Sequence, residues 1–330
     1  MTLDLIVPHY KEPWETCKYL FDTIATQRGI CLDDIRVIVV NDGDCFLSED
    51  CFAGYPYKVE YLKKQHGGVS AARNYGLDHS SADYVMFCDI DDGFLSNYGL
   101  YLVFAAMHEG FDMLVSSFIE ESFAKDTNAP LILPRKDDMT FVHGKAYRRQ
   151  FLVENNLRFD EKLTIHEDGY FNLLAYTVAK ASGKVKKIET PFYLWRWNDS
   201  SVVRSNKSDF VLKTYSNLMD ARTRTCEELK RRGFEEEFRV SVCMTVLNSY
   251  YDFQKTRYHE AQNARYLREA KKAFKQFFGQ FGKVFKGCTN SEIADIAVSA
   301  RANAVANGML MEQQDLKTFL RHIEYEVKAK

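Results

Sequence analysis

At 330 residues, with 46% apolar and 27% charged residues, the chain is long enough for one large and one smaller domain, each with its own core. The formal net charge of −2 names no partner, but residues 1–204 carry 22 Lys and Arg against 30 Asp and Glu, while residues 205–330 carry 22 against 16. No run reaches the roughly 18–20 apolar residues that span a bilayer. The start, MTLDLIVPHYK, lacks a secretory apolar core, and none of the eight cysteines forms a CxxC pair, so the expectation is reduced thiols in a cytoplasm.

In chain order, short β-branched runs alternate with amphipathic stretches through the first 120 residues. Strands are expected at LDLIV (3–7), RVIVV (36–40), YKVEYL (57–62), YVMFC (84–88) and DMLVSSF (112–118), with helices at 14–27, 70–78 and 98–108. Apolar strands separated by helices predict an α/β fold with a mostly parallel sheet covered on both faces. Such sheets bind ligands at the carboxyl ends of their strands. Three polar clusters stand there: Pro8-His9-Tyr10, Asn41-Asp42-Gly43-Asp44 and Asp89-Ile90-Asp91-Asp92. Further on, helices are expected near 148–155 and 168–180 and strands near 185–189 and 192–197. From Ser205 the pattern is helical, at 209–231, 234–254, 257–278, 291–306 and 311–328, with Thr289 and Glu292 spaced as a capping box. The reading is a domain of residues 1–204 and an all-helical domain of residues 205–330.

The acidic turn after the fourth strand carries the chemistry. Three carboxylates directly after a buried strand raise one another's pKa and are costly unless a positive charge sits among them. An EF-hand loop is excluded, because the glycine is fifth rather than sixth and position twelve is Leu100. A haloacid-dehalogenase phosphatase carries its DxD on the first strand, whereas three strands precede this one. A solvated turn explains one aspartate better than three. A Mg²⁺ or Mn²⁺ site with open positions for the oxygens of a diphosphate fits the pattern. HGGVSAARNYG contains no GxGxxG, so nothing supports a dinucleotide-binding dehydrogenase.

Taken together, IVPHYKE, VVNDGD, HGGVSAARNYGL and MFCDIDD resemble the successive signatures of family 2 glycosyltransferases of the GT-A fold. VHGKAYRRQFLVENNLRFDEKLTIHEDGYFNLLAY resembles that family's acceptor-side segment, which ends in an Glu-Asp pair. The likeness covers about residues 1–204. It implies a nucleotide-diphosphate sugar donor, UDP-linked, a divalent Mn²⁺ or Mg²⁺, and inversion at the anomeric carbon. Carried over position by position, Pro8, Tyr10 and Glu12 would border the nucleoside, and Asp42 would accept from the uracil N–H. Arg73 would face the nucleotide, Asp89 would contact the ribose and help hold the metal, and Asp91 would ligate it. Asp168 would be the general base, with Glu167 beside it. Arg196, Ser201 and Arg204 would belong to a loop closing over the diphosphate. The chain departs from the family at Asn41, where an acid is usual, and at His143, where a Trp usually precedes Gly-Lys.

The expected activity is transfer of a sugar to a hydroxyl. The acceptor is left open among cell-surface glycan, lipid-linked glycan, polymer, protein and modified DNA. A catalytically inactive sugar-nucleotide-binding protein and a nucleotidyltransferase are the rival readings; the latter normally has a Gly-rich basic loop after its first strand, which PHYKEPWE lacks. Within residues 265–287, Phe274, Phe277, Phe278, Phe281 and Phe285 recur at helical spacing among seven Lys and Arg. That pattern suits a helix packed into its own domain, or a face that docks on an anionic membrane surface or polymer. A peripheral position at the inner membrane face and self-association into a homo-oligomer follow as further expectations.

Overall fold

The computed structural model describes residues 1–123, 127, 129–198, 210–306 and 315–328. The chain divides into two compact units, Met1–Ser201 and Val202–Lys330. The first is built on a nine-stranded sheet: β1 (Leu3–His9), β2 (Ile35–Asn41), β3 (Lys58–Lys63), β4 (Tyr84–Phe87), β5 (Gly93–Phe94), β6 (Met113–Phe123), β7 (Pro130–Arg135), β8 (Lys145–Arg148) and β9 (Val185–Trp195). Their order is β3-β2-β1-β4-β8-β6-β9-β5, with β7 paired to β6. The first four strands are parallel, as their unbroken apolar runs require. Beyond β4 the sheet is mixed: β8 pairs antiparallel with both β4 and β6, while β6 and β9 are parallel.

Five helices accompany the sheet: α1 (Trp14–Ala25), α2 (Val69–His79), α3 (Gly99–Glu109), α4 (Arg149–Glu154) and α5 (Glu167–Ala181). The chain order reverses between β1 and β4, so the crevice at their carboxyl ends is where a ligand is expected. Leu3, Leu5, Ile6 and Val7 of β1 are fully buried, and α2 lies close against them. The approach is set by Gly76, where an added Cβ would meet Ile6 Cγ2 at 2.4 Å. At the opposite end of the sheet the buried Asp4 is satisfied by Arg36, by the Ser80 hydroxyl and by the N–H groups of Ser81 and Ala82.

Several expectations shift. The two strands expected at 185–189 and 192–197 are one strand, β9, whose pairing slips opposite Ser116–Phe118. Pro191 lies in that slip and has no N–H to give the ladder. The short strands β5 and β8 were not anticipated, nor was β7, whose Pro130 and Pro134 suit only its edge position.

The second unit contains α6 (Phe210–Lys213), α7 (Tyr215–Arg231), α8 (Glu235–Asp252), α9 (Ala264–Lys286), α10 (Asn290–Ala306) and α11 (Leu316–Lys328). The helix expected at 209–231 is interrupted at Thr214, whose hydroxyl bonds back to the Phe210 carbonyl. The helix expected to start at 257 starts at Ala264 instead. Side chains take the carbonyls that a helix would need there: Asn263 donates to Arg257 and the His259 ring to Phe253. Thr289 and Glu292 form the expected reciprocal cap at the start of α10. Phe274, Phe277, Phe278, Phe281 and Phe285 are all buried, so the aromatic face of α9 packs within its own unit. All eight cysteines are free thiols, and no helix among the described residues is long and apolar enough to cross a membrane.

Gly76 tests the packing that positions α2. Gly76→Val should destabilise the first unit by about 1–3 kcal/mol, the usual cost of overpacking a tight contact, read as a lower thermal unfolding midpoint. An unchanged midpoint would mean that α2 can move off β1 freely.

Candidate active site

Four strand ends and the first turns of two helices converge on one crevice. At the end of β1, His9 is buried between Asn41 and the Glu12 carbonyl (3.2 and 3.0 Å). The Glu12 carboxylate accepts from the N–H groups of Tyr10 and Lys11 (2.9 and 3.1 Å), closing the turn after Pro8. At the end of β2, Asp42 receives four donors. Its Oδ1 takes Lys64 Nζ (2.5 Å) and the Gly67 N–H (2.9 Å); its Oδ2 takes the His66 ring (2.9 Å) and the Gly68 N–H (2.7 Å). Gly68, at φ 89°, turns the chain into α2 so that these N–H groups face Asp42. Tyr10, half-exposed, stacks on His66 at 4.8 Å.

Arg73, on the second turn of α2, is the centre of the site. Only 2% exposed, it donates to Asp89 (2.9 Å), Asp168 (2.5 Å) and Glu167 (3.1 Å). Its guanidinium lies 5.1 Å over the ring of Phe159, which stacks on Phe171 of α5. Burial opposes the arginine's charge, but Asp168, Asp89 and Glu167 outweigh it and its pKa is raised. The same contact holds Asp89 below the usual carboxylate range, although burial alone would raise it.

Glu167 and Asp168 open α5, which the chain enters through His166 in the left-handed conformation (φ 68°). Burial pushes both carboxyls up. Glu167, next repelled by Asp168, rises to about 8. At Asp168 the leading opposition is Arg73, and the Val142 N–H adds a hydrogen bond at 3.1 Å. Both acids are thus raised by burial, and Arg73 and the Val142 N–H work against that rise at Asp168. The Val142 loop is held from beneath. Lys145, fully buried, donates to the carbonyls of Asp138, Phe141 and His143 (2.6, 2.6 and 3.2 Å), and Asn172 donates to those of Met139 and Phe141. Burial lowers the Lys145 ammonium to about 8.

The acidic turn after β4 presents three different environments. Asp89 faces Arg73. Asp91 accepts from Asn198 Nδ2 at 2.7 Å, and burial followed by repulsion from Asp89 raises its pKa. Asp92 is fully buried, accepts from the Tyr193 hydroxyl (2.9 Å) and the Arg196 N–H (3.0 Å), and is raised well above the carboxylate range by burial and its two acidic neighbours. Arg196 donates to the Asp91 carbonyl and stacks on Tyr19 at 3.9 Å. One ligand atom each from Asp89, Asp92 and His143 lies within 4.8 Å of the others, a grouping able to hold a metal ion. His143 is buried and its pKa is lowered to about 4 by desolvation, so its imidazole is neutral.

Of the residues expected from the sequence, the structure joins Arg73, Asp89, Glu167 and Asp168 directly and sets Arg196 on Asp91, while Pro8, Tyr10, Glu12 and Asp42 stand at or just beyond the ends of β1 and β2; Arg204 and Ser201 lie outside the described residues. Lys64, His66, Lys145 and Asn172 were not singled out, and neither Asp92 nor His143 was expected as a ligand. The only trace of these roles in the sequence is that Lys64 and His66 precede the two glycines and that Lys145 follows His143-Gly144.

A sheet with a switch-point crevice, an acidic turn and paired carboxyls opposite it define a sugar-nucleotide-dependent glycosyltransferase of the GT-A fold. Comparison with known proteins gives the family. The model of glycosyl transferase family 2 matches residues 4–167. The uncharacterized glycosyltransferase EpsJ of Bacillus subtilis is 30% identical over 272 residues, covering 75% of this chain and 74% of its own. The minor teichoic acid biosynthesis protein GgaB of Bacillus subtilis is 30% identical over 232 residues, covering 61% of this chain but 25% of its own. The crystal structure of S. aureus TarS 1-349 superposes with a TM-score of 0.63 at 18% identity, covering 93% of this chain and 89% of that one. TarS 1-349 has also been crystallised with UDP and with UDP-GlcNAc. The chain belongs to glycosyltransferase family 2 and transfers a sugar from a nucleotide sugar.

The Arg73 cluster makes a pH-dependent prediction. Removing one partner of a buried ion pair costs about 3–5 kcal/mol. Arg73→Gln should lose stability of that order at neutral pH. The deficit should shrink as pH falls, because the carboxylates stranded in the variant take up protons; the contribution of the depressed Asp89 to the wild type is lost only further down, as pH falls through its lowered pKa. Denaturant unfolding between about pH 4 and 8 measures this; a deficit independent of pH would contradict it.

Proposed function

We propose that the enzyme is an inverting transferase that moves a sugar from a UDP-linked donor to a hydroxyl of a surface polymer, with Asp168 as general base. The observation that carries this reading is the geometry of the paired acids: Asp168 accepts from Arg73 at 2.5 Å and from the Val142 N–H at 3.1 Å, contacts that favour its ionised form, with Glu167 beside it. Glycosyl transfer requires a base on the face opposite the leaving group, and a carboxylate suffices because the acceptor hydroxyl becomes acidic only as the new bond forms. Asp168 would take that proton at Oδ1 or Oδ2, oriented by Arg73 and the Val142 N–H. Glu167, protonated, can donate a hydrogen bond to a sugar or acceptor oxygen.

On the donor side, Pro8, Tyr10 and Glu12 border the nucleoside position and Asp42 marks its floor. Both Asp42 oxygens are already doubly bonded, so accepting the uracil N–H requires one donor to give way. His66, whose side chain is 58% exposed, is the one free to turn. A divalent cation would be held at the acidic turn through Asp89 and Asp91, the positions the family resemblance carries over. The residues fit such an ion: Asp92 is fully buried and Asp91 half-buried, and both have raised pKa values. Bound there, Mn²⁺ or Mg²⁺ neutralises charge developing on the departing diphosphate. Arg196, seated on this turn, is placed to meet a phosphate.

For the acceptor, the name of the relative GgaB points to teichoic acid, and the TarS crystal structure with UDP-GlcNAc makes that sugar nucleotide the first donor to try. An anionic polymer also suits the excess of basic residues from Ser205 onward.

UDP release from a panel of UDP-sugars should require Mn²⁺ or Mg²⁺ and stop in excess chelator. Asp168→Asn should leave donor affinity intact and lower transfer by about 10²–10⁴-fold, the range for loss of a general base. Loss of donor affinity with turnover unchanged at saturation would make Asp168 a binding residue, and full activity in chelator would remove the cation from the reaction.

A further inference from the structure

His143 stands where related sequences usually have a tryptophan, and the structure gives the imidazole a setting that packing alone does not explain. The ring is 1% exposed and lies nearly parallel to three aromatic neighbours: Tyr193 (5.1 Å, 18°), Trp195 (5.3 Å, 29°) and Phe141 (5.4 Å, 19°). Phe118 meets it edge-on at 5.2 Å. A hydrocarbon ring would fill this slot without penalty. The imidazole instead brings a nitrogen, Nδ1, that is buried with no hydrogen-bond partner. A buried polar atom left unpaired costs free energy and calls for an explanation.

The nearest polar group is Asp92. Its Oδ2 lies 3.5 Å from Nδ1, beyond the range of a good hydrogen bond, and that oxygen already takes the Tyr193 hydroxyl. The Tyr193 oxygen also accepts from the Asp89 N–H at 3.1 Å, so Asp89, Asp92 and the ring stacked on His143 form one connected unit. Lys145 holds the His143 carbonyl and fixes the backbone that aims the ring. Two carboxylates and an unpartnered nitrogen therefore face a common point, with ligand atoms within 4.8 Å of one another. Ligands about 2.0–2.2 Å from a shared ion stand up to about 4.3 Å apart, so a small rotation of one side chain closes the group.

We propose that the divalent cation of the donor site is held by Asp89 and Asp92 with a nitrogen of His143, Asp92 rather than Asp91 being the second carboxylate ligand, and that this nitrogen makes the site prefer Mn²⁺ over Mg²⁺. Mg²⁺ takes oxygen ligands almost exclusively, whereas imidazole favours the transition ions. The inference rests on the donor-site cation of the proposed function and adds which residue sets its identity.

The test uses the full chain loaded with Mn²⁺ in the presence of UDP and read by pulsed electron paramagnetic resonance. The wild type should show ¹⁴N coupling to the bound Mn²⁺. Folded His143→Gln should lose that coupling, and its preference for Mn²⁺ over Mg²⁺, from the ratio of dissociation constants, should fall about tenfold or more. Should His143→Gln not fold, wild-type protein carrying ¹⁵N-histidine replaces it, and the ¹⁴N pattern must give way to a ¹⁵N one. Mn²⁺ bound with UDP but without nitrogen coupling, or with coupling that persists in folded His143→Gln, overturns the role of His143 and leaves the donor-site cation standing. No Mn²⁺ binding with UDP present overturns both.

Discussion

One guanidinium holds the catalytic crevice together. Arg73 reaches from α2 to the end of β4 and to the first turn of α5, joining Asp89, Glu167 and Asp168 through a guanidinium that is itself buried. Three acids around one cation would carry an excess of negative charge at low dielectric, which is untenable unless protons or further cations offset it. Two features bear on that balance: burial and the neighbouring Asp168 raise Glu167 to about 8, which favours its protonated form, and Asp89, Asp92 and His143 form a grouping able to hold a metal ion. The acidic turn after β4 and the paired acids of α5 thus share one electrostatic balance.

The fold is arranged to keep that guanidinium in place. Gly76 lets α2 press against β1, which fixes how deep Arg73 sits. Phe159 and Phe171 form an apolar floor beneath it. The loop before β8 carries both Val142, which donates to Asp168, and His143, which faces Asp92; Lys145 and Asn172 hold that loop by its carbonyls. A buried lysine bonded only to backbone oxygens is a costly way to fix a loop, and it is spent where both halves of the site meet.

Much of this was legible in the sequence, for physical reasons. Strands β1, β2 and β4 are almost wholly buried, so their apolar runs stand out, and in a parallel sheet their carboxyl ends mark where a ligand is expected. Residues such as Asp42, Arg73, Asp89 and Asp168 were singled out because their motifs recur as a set. Their partners were not. That Arg73 joins Asp89 to Asp168 depends on contacts across 16 and 95 positions of sequence, which periodicity cannot reveal. The four donors on Asp42 likewise come from a loop more than twenty residues away. Short or proline-bearing strands were missed because β5, β7 and β8 take their form from neighbours rather than from their own pattern. In the helical unit, the late start of α9 follows from side chains of Asn263 and His259 occupying carbonyls, a competition that helix periodicity does not register.

The central claim is that the paired acids at the start of α5 divide their roles, Asp168 as the anion and Glu167 as the proton holder. Carboxyl ¹³C NMR titration of the labelled full chain, assigned with Glu167→Gln and Asp168→Asn, measures this directly. The account predicts that at neutral pH the Asp168 carboxyl is ionised while that of Glu167 still carries its proton. An ionised Glu167 beside a protonated Asp168 would contradict it.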